Sequence, residues 1–593
     1  MTEERENLES NPVLKPVAFW QLWKNPIILR YMRSRMRWGG LAAALIVTVV
    51  VTMFAFLLTY YGAGKLHMGS SQDAFAAAFF PVFAIQVLIM MFFGTGAVAG
   101  GITQEYEDGM VEYQRLTPMS PMAKIVGYLI GLPIREWFLL GVTSLAVLVV
   151  VVKGEIPWES VWRVYSIFVL SVLVYHLMAL VVVHSMKRKR LAGRVIQFLV
   201  LILYFVLPLL SQFGLVFFEY LTVRPIVREE MLVYMPEHSW LGVFFLDGEI
   251  SDVAFFDKLL NAWTFSMMLQ VSLVVTFTVM LRRRWKDANC HLMSKPFALV
   301  FYASISFMLV GNIMPMAKTG NMSISKNINE IRLKKAEKTL NDVGANPEAR
   351  RRSLDVIRGV QKYDNKLEPL EFASSQTVVF LVFGSLACLA VYICTPRLGM
   401  YQVGLRRAKN LNRRWMPLHW DASSGIWLTL VVMVTMMVGL HYITGAFFES
   451  KDLSKDLFAL KGNIPQATYF AATCLLAFYL VYEAWENKGL FLLVLFIWVL
   501  PMMASLVILA SSDTMQEVVN GMWVSGFSPL AGYSYNMLLD YPGYPSHQVF
   551  MFSWVIQAII AAVAGVSLAK KKWLRKPATV MSSSAVVEAK LAQ

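Results

Sequence analysis

Twelve long apolar runs constrain this chain more than any other feature of its sequence. A helix needs about 20 residues to cross a hydrocarbon core about 30 Å thick. Only 16% of the 593 residues are charged, whereas about a quarter are charged in a soluble protein. The sequence therefore predicts an all-α, polytopic membrane protein with about 12 transmembrane helices. The predicted spans are 40–61, 74–101, 126–152, 162–184, 195–219, 262–281, 297–316, 376–395, 425–444, 467–484, 489–510 and 548–569.

The positions of lysine and arginine predict that both termini face the cytoplasm. Cytoplasmic loops of membrane proteins carry an excess of these cations. The same rule explains the net charge of +15, so no nucleic-acid partner is expected. The four cysteines are scattered and form no CxxC pair, so neither a disulfide framework nor a cysteine metal site is predicted. The basic clusters that define the cytoplasmic side are 186–190, 282–286, 406–414 and 570–576.

The second six runs repeat the layout of the first six. In each half, the second and third runs are joined on the cytoplasmic side, and the fifth and sixth by a longer external segment. This repetition of layout, without residue-level identity, predicts two pseudo-equivalent six-helix bundles. The predicted domains are a cytoplasmic amphipathic connecting helix (1–39), the first half (40–281), a basic cytoplasmic linker (282–296), the second half (297–569) and a basic, then disordered, cytoplasmic tail (570–593).

A polar insertion at 318–375 interrupts the second half on the extracytoplasmic side. Its pattern predicts a helical hairpin. A solvated spacer is favoured over the alternative, a domain that contacts substrate or an accessory extracytoplasmic protein.

Residues 102–118 form an acidic amphipathic segment on an otherwise basic side of the protein. A helix over 102–116 places an apolar stripe on one face and charged residues on the other. Pro118 and Pro121 end this helix. Docking to another protein explains such an acidic face, and so does an interfacial helix with a solvated charged face. The stripe is Ile102, Tyr106, Met110, Tyr113 and Leu116, and the charged face is Glu105, Asp108, Glu112 and Arg115.

The string E-x-E-D-G-x-x-E-x-x-x-L-T-P-M-S-P at 105–121 resembles the coupling-helix region of ABC-2 type permeases. In that family a Glu-rich segment between the second and third spans rests in a cleft of the ATPase subunit. Met110 stands where threonine is usual, and the second-half counterpart at 397–424 is basic and does not fit. The coupling residues implied by the resemblance are Glu105, Tyr106, Glu107, Asp108, Gly109, Glu112, Arg115, Leu116, Thr117 and Pro118.

The resemblance implies the permease subunit of an ATP-driven exporter in a bacterial cytoplasmic (inner) membrane. Substrate would move by alternating access, driven by two copies of a separate, soluble ABC ATPase subunit. The chain contains no G-x-x-x-x-G-K-[ST] motif, so this chain is not expected to be an enzyme. ATP and Mg²⁺ would bind to the partner subunit, and no cofactor, catalytic residue or metal site is predicted here.

A segment before the first run carries aromatic and basic residues suited to the membrane interface. Aromatic rings favour the headgroup zone, and cations favour anionic lipid. The predicted interfacial residues are Trp20, Trp23, Arg30 and Arg33.

Arg135 and Glu136 form the candidate intramembrane polar site. Ionisable residues in a span indicate function by default, although a helix that begins near Pro133 would place both at the interface, which is the favoured interpretation. Because sequence neighbours point in different directions on a helix, each is expected to need its own partner. An ion-coupled secondary transporter is the alternative function, and a membrane scaffold or enzyme ranks last.

Overall fold

A computed structural model describes most of the chain. The predicted insertion at 318–375 lies almost entirely outside the described residues, as do the N-terminal residues 1–17 and the tail after residue 574. The described residues are 18, 20–65, 71–186, 189–213, 215–231, 253–256, 258–288, 290–319, 369–448, 460–512, 514–538 and 545–574.

Within these ranges, eleven helices are long and apolar enough to cross a membrane. Their number and length confirm the prediction of an all-α, polytopic membrane protein. They are Trp38–Tyr61, Gln72–Glu107, Ile134–Lys153, Trp158–Ser185, Gly193–Ser211, Ala262–Lys286, Lys295–Pro315, Phe372–Cys394, Ile426–Phe448, Leu460–Ala510 and Ser546–Lys571.

Shorter elements lie between the long helices. Two antiparallel strands, Val253–Phe255 and Lys258–Leu260, pair Val253 with Leu260 and Phe255 with Lys258. The short helices are Pro26–Arg35, Met110–Leu116, Pro121–Gly131, Arg224–Met231, Leu398–Asn410, Met515–Ser525 and Pro529–Asn536.

The tenth and eleventh predicted runs lie in one interrupted helix, Leu460–Ala510. The backbone leaves helical geometry at Glu486, where φ is 53°. The rings of Phe478 and Trp498 are 6.3 Å apart, whereas a straight helix would separate residues 20 positions apart by about 30 Å. The chain therefore reverses direction at Glu486. The tenth and eleventh predicted runs are therefore the two antiparallel arms of a helical hairpin, which forms a single continuous stretch among the eleven. The arrangement of twelve helices in two bundles is not confirmed.

The chain divides into two compact units, with the main boundary between Met293 and Ser294. This boundary falls inside the basic linker predicted at 282–296. In the first unit, the Trp158–Ser185 helix packs against the Ala262–Lys286 helix. In the second unit, the Ile464–Leu492 helix packs against Ser546–Leu574.

Small residues at the end of the second span allow close helix packing in the first unit. A π-helical turn, Leu88–Gly94, interrupts this span. His176 donates from Nε2 to the carbonyl oxygen of Met90 at 3.1 Å, and a Cβ on Gly94 would lie 2.9 Å from the same nitrogen. Gly101 lies similarly close to the Leu132 side chain. A side chain at either glycine would therefore force its neighbour to shift.

Candidate partner-docking site

The acidic segment is two helices with a break between them. The first, Thr95–Glu107, ends at Asp108, and the second is Met110–Leu116. Gly109 lies between them with φ of 69°, a left-handed conformation that glycine adopts without steric cost. No atom lies within 4 Å of the position of a Cβ on Gly109, so backbone conformation, and not space, explains the glycine. The predicted continuous helix over 102–116 is therefore wrong.

Glu105 is buried, with 4% of its surface exposed. Its carboxylate accepts hydrogen bonds from the hydroxyls of Tyr31 and Tyr128 and forms an ion pair with Arg30. We call these four residues the Glu105 cluster. The prediction that Glu105 shares an exposed face with Asp108 and Glu112 is wrong, because the Pro26–Arg35 helix covers it.

The N-terminal helix Pro26–Arg35 brings Arg30 and Tyr31 to this position. Asn25 caps the helix by accepting from the Ile27 amide at 3.0 Å and donates to the Ala123 carbonyl oxygen at 2.8 Å. A Cβ on Gly127 would lie 3.0 Å from Asn25 Oδ1 and from Ile27 Cβ. The missing side chain at Gly127 therefore permits the close contact between the two helices.

The interfacial prediction for the N-terminal segment is only partly compatible with this arrangement. Trp20, Trp23 and Arg33 are exposed, and their contact with lipid stays a prediction. Arg30 is half-buried and pairs with Glu105, so only part of its side chain is available to lipid. The helix begins at Pro26, so the two tryptophans precede it.

A chain of aromatic ring contacts connects two further helices to the Glu105 cluster. The Tyr128 ring stacks on Trp285 with centroids 5.5 Å apart and planes at 12°. Trp285 also contacts His184 at 5.2 Å, and His184 contacts Tyr106 at 5.4 Å. The cytoplasmic ends expected for the Trp158–Ser185 and Ala262–Lys286 helices are thereby joined to the second span.

The Met110–Leu116 helix exposes a mixed apolar and acidic face. Val111 is fully buried, whereas Tyr113 is 66% exposed and Leu116 is 84% exposed. Exposed apolar side chains that lie together mark interaction surfaces. We define the docking face as Asp108, Met110, Glu112, Tyr113 and Leu116, all of which are exposed.

The end of this helix is held by polar contacts to the next one. Thr117 donates from Oγ1 to the Gln114 carbonyl oxygen at 2.7 Å. Lys124 donates from Nζ to the carbonyl oxygens of Arg115 and Thr117, each at 3.3 Å. Burial, and then the charge of Arg115, lower the pKa of Lys124. These contacts hold the Met110–Leu116 helix, which carries the docking face, in a fixed orientation relative to the Pro121–Gly131 helix.

The remaining residues of the predicted coupling set divide between surface and interior. Glu107, Gly109 and Pro118 are exposed, while Tyr106, Arg115 and Thr117 are half-buried. Arg115 pairs with Glu112 at 3.0 Å. Sequence reasoning missed Tyr31, Tyr128 and Trp285 and assigned Arg30 to the membrane interface, because these residues come from segments far apart in the chain.

The second unit has a related arrangement with opposite charge. Lys295, near the start of the seventh predicted span, is buried and donates to the Trp420 carbonyl oxygen at 3.1 Å and to Ser423. The loop that contains these acceptors follows the basic Leu398–Asn410 helix. Arg407 lies 5.1 Å from the Trp420 ring centroid. In both units, a residue at or before the start of the first span contacts the segment that precedes the third.

Arg135 and Glu136 pair with each other, at 2.8 Å between Arg135 Nη2 and Glu136 Oε1. The expectation of separate partners is therefore wrong, because the flexible guanidinium folds back onto its neighbour. The helix begins at Ile134, as the favoured interpretation required, yet Glu136 is only 1% exposed.

Comparison with known proteins found no matching family model, no similar curated protein and no similar solved structure. Within the described ranges, no three His, Cys, Asp or Glu side chains group to hold a metal ion.

Proposed function

We propose that this chain is the transmembrane permease subunit of an ATP-driven exporter of the ABC-2 type, energised by a separate soluble ATPase. The observation that carries the proposal is the docking face, an exposed apolar and acidic surface on a short helix fixed to the transmembrane bundle. The acidic motif at 105–121 supports the same function by resemblance.

The docking face fits a protein partner better than water or lipid. Tyr113 and Leu116 expose apolar surface, which gains free energy when a partner buries it. Asp108 and Glu112 lie beside them and favour a cleft with a basic rim. A lipid headgroup layer that is rich in anions would repel the same carboxylates.

The Glu105 cluster adjoins the docking face along the chain, three residues before Asp108, and would provide a mechanical connection. It joins the N-terminal helix, the second span and the Pro121–Gly131 helix through one buried carboxylate. Because packed interiors resist deformation, a partner that pushes on the Met110–Leu116 helix would move these elements together. Such rigid-body motion is what alternating access requires.

The complete unit would contain two six-helix bundles, with both termini in the cytoplasm of a bacterial cell. Two ATPase copies would bind, one under each half. The second contact would differ in chemistry, since the Leu398–Asn410 helix carries Arg406, Arg407 and Lys409 in place of carboxylates.

Affinity purification of the tagged full-length chain from gently solubilised membranes tests the proposal. We expect a co-purifying ATPase with a phosphate-binding loop and ATP hydrolysis in the eluate. The Asp108→Lys/Glu112→Lys variant should recover at least about tenfold less partner, since about 1.4 kcal/mol is tenfold in affinity.

An Asp73→Lys/Glu159→Lys variant is the matched control, because it makes the same charge change at exposed positions elsewhere. It should recover the partner normally. Full recovery by the Asp108/Glu112 variant, with normal membrane insertion, would contradict docking at this face.

Ion-coupled transport is the second candidate, and the observation in its favour is Glu136. The Oε2 atom of this buried carboxylate has no hydrogen-bond partner among the described residues. Buried carboxylates in spans serve as proton or cation sites. Transport that collapses with a protonophore at constant ATP, and with Glu136→Gln, would favour this function over the first.

A further inference from the structure

An apolar cavity of about 490 Å³ lies inside the first unit. Its walls come from the second span, from the helical segment around Val200 and from the residues at the start of the Arg224–Met231 helix. All but two of the lining residues, Tyr204 and Arg224, are purely apolar.

The cavity opens on the outer surface of the unit. Leu88, Leu201 and Phe205 line it and are all exposed. These residues lie within two candidate spans, Gln72–Glu107 and Gly193–Ser211, where we expect exposed apolar side chains to face hydrocarbon. Bilayer lipid therefore has lateral access to the cavity.

The length of the cavity matches one acyl chain of one leaflet. Its wall on the second span extends from Phe80 to Phe92, which is about 18 Å at 1.5 Å per residue. Half of a hydrocarbon core is about 15 Å. An empty void of this size would lose packing contacts on every wall, and apolar cavities of about 150 Å³ already take up small apolar ligands.

Arg224 is the one cationic residue among the described residues of the lining. It follows the fifth predicted span, so the topology expected from charge places it at the extracytoplasmic end. Its guanidinium is suited to bind a phosphate through paired hydrogen bonds. The Tyr204 hydroxyl is the other polar group of the lining.

We propose that this cavity binds one acyl chain of an anionic phospholipid of the outer leaflet, with Arg224 at its phosphate. The acyl chain of the lipid fills the space between the second span and the helical segment around Val200. The headgroup lies beside the start of the Arg224–Met231 helix. This site needs no ATPase, so its test is independent of the docking proposal.

Photolabelling of the purified full-length protein in nanodiscs tests this site. The probes are phosphatidylglycerol and phosphatidylcholine, each with a diazirine on one acyl chain, and a diazirine analogue of oleic acid. We expect phosphatidylglycerol to label peptides that contain residues 80–92 and 200–205. Phosphatidylcholine should label them about tenfold less, the difference of one charge-assisted contact.

Four variants locate the label. Ala84→Trp adds bulk to the lining and should reduce labelling to background, while Val149→Trp, exposed on another helix, should not. Arg224→Gln should remove the preference for phosphatidylglycerol, and Arg224→Lys should keep most of it.

Labelling that Ala84→Trp leaves unchanged would overturn the site. A preference that survives Arg224→Gln would overturn the role of Arg224. Labelling by the oleic acid probe alone would overturn a phospholipid as the ligand.

Discussion

Replacing Glu105 by alanine tests whether the buried cluster holds the first unit together. The carboxylate accepts from two buried tyrosine hydroxyls and pairs with Arg30. A hydrogen bond to a charged group contributes about 1.5–3 kcal/mol to stability. Buried donors that are left without an acceptor add a desolvation penalty. The Arg30 side chain is 36% exposed, so water weakens the contribution of its ion pair with Glu105 to stability. We expect the free energy of unfolding to fall by about 3–5 kcal/mol.

Thermal unfolding of the detergent-solubilised protein, followed by the fluorescence of its 17 tryptophans, measures this loss. The apparent Tm should fall by about 5–10 °C, at about 2 °C per kcal/mol for a unit of this size. Glu105→Gln keeps one acceptor oxygen and should lose about half as much. Glu112→Ala, at a side chain that is 68% exposed, should change the Tm by about 1 °C or less. A Glu105→Ala protein with the same Tm as Glu112→Ala would refute the reasoning.

Three other substitutions have expected effects on the Tm or on the yield of folded protein. Gly109→Ala forces a side chain into a left-handed conformation and should cost about 1–2 kcal/mol; an unchanged Tm would contradict the need for glycine there. Gly101→Val should reduce the yield of folded protein, because the added atoms collide with Leu132, while Gly100→Val, with open space around it, should fold normally. Lys295→Met leaves several carbonyl oxygens without their donor and should lower the Tm of the second unit by a few degrees, with about 1–3 kcal/mol lost; a higher Tm would show that burying this charge costs more than its contacts return.

The membrane-spanning character of the chain and the position of most spans could be predicted from the sequence because hydrophobicity acts locally. A run of about 20 apolar residues has few alternatives to a membrane helix. The chain reversal at Glu486 was also implied by the polar residues between two runs. What hydropathy could not reveal is the left-handed backbone at Glu486 that joins the two runs.

The candidate site was less accessible to sequence reasoning, because its geometry depends on contacts between distant segments. Helical periodicity alone placed Glu105 beside Glu112 on an exposed face. The Asp108-Gly109 dipeptide is a turn signal that could have predicted the break. No local pattern indicated that Tyr31 and Tyr128 would cover Glu105, since this depends on how three separate segments pack.

Site-directed photo-crosslinking from Tyr113 is the most direct test of the proposed docking face. A photoreactive amino acid would replace Tyr113, which is exposed on the Met110–Leu116 helix, and Trp158, which is exposed on the opposite expected side, would be the control position. After irradiation of intact cells, we predict a crosslink from position 113 to an ATPase with a phosphate-binding loop, and none from position 158. Crosslinks from position 113 that contain only lipid or unrelated proteins, in cells where the variant is inserted and stable, would contradict the proposal.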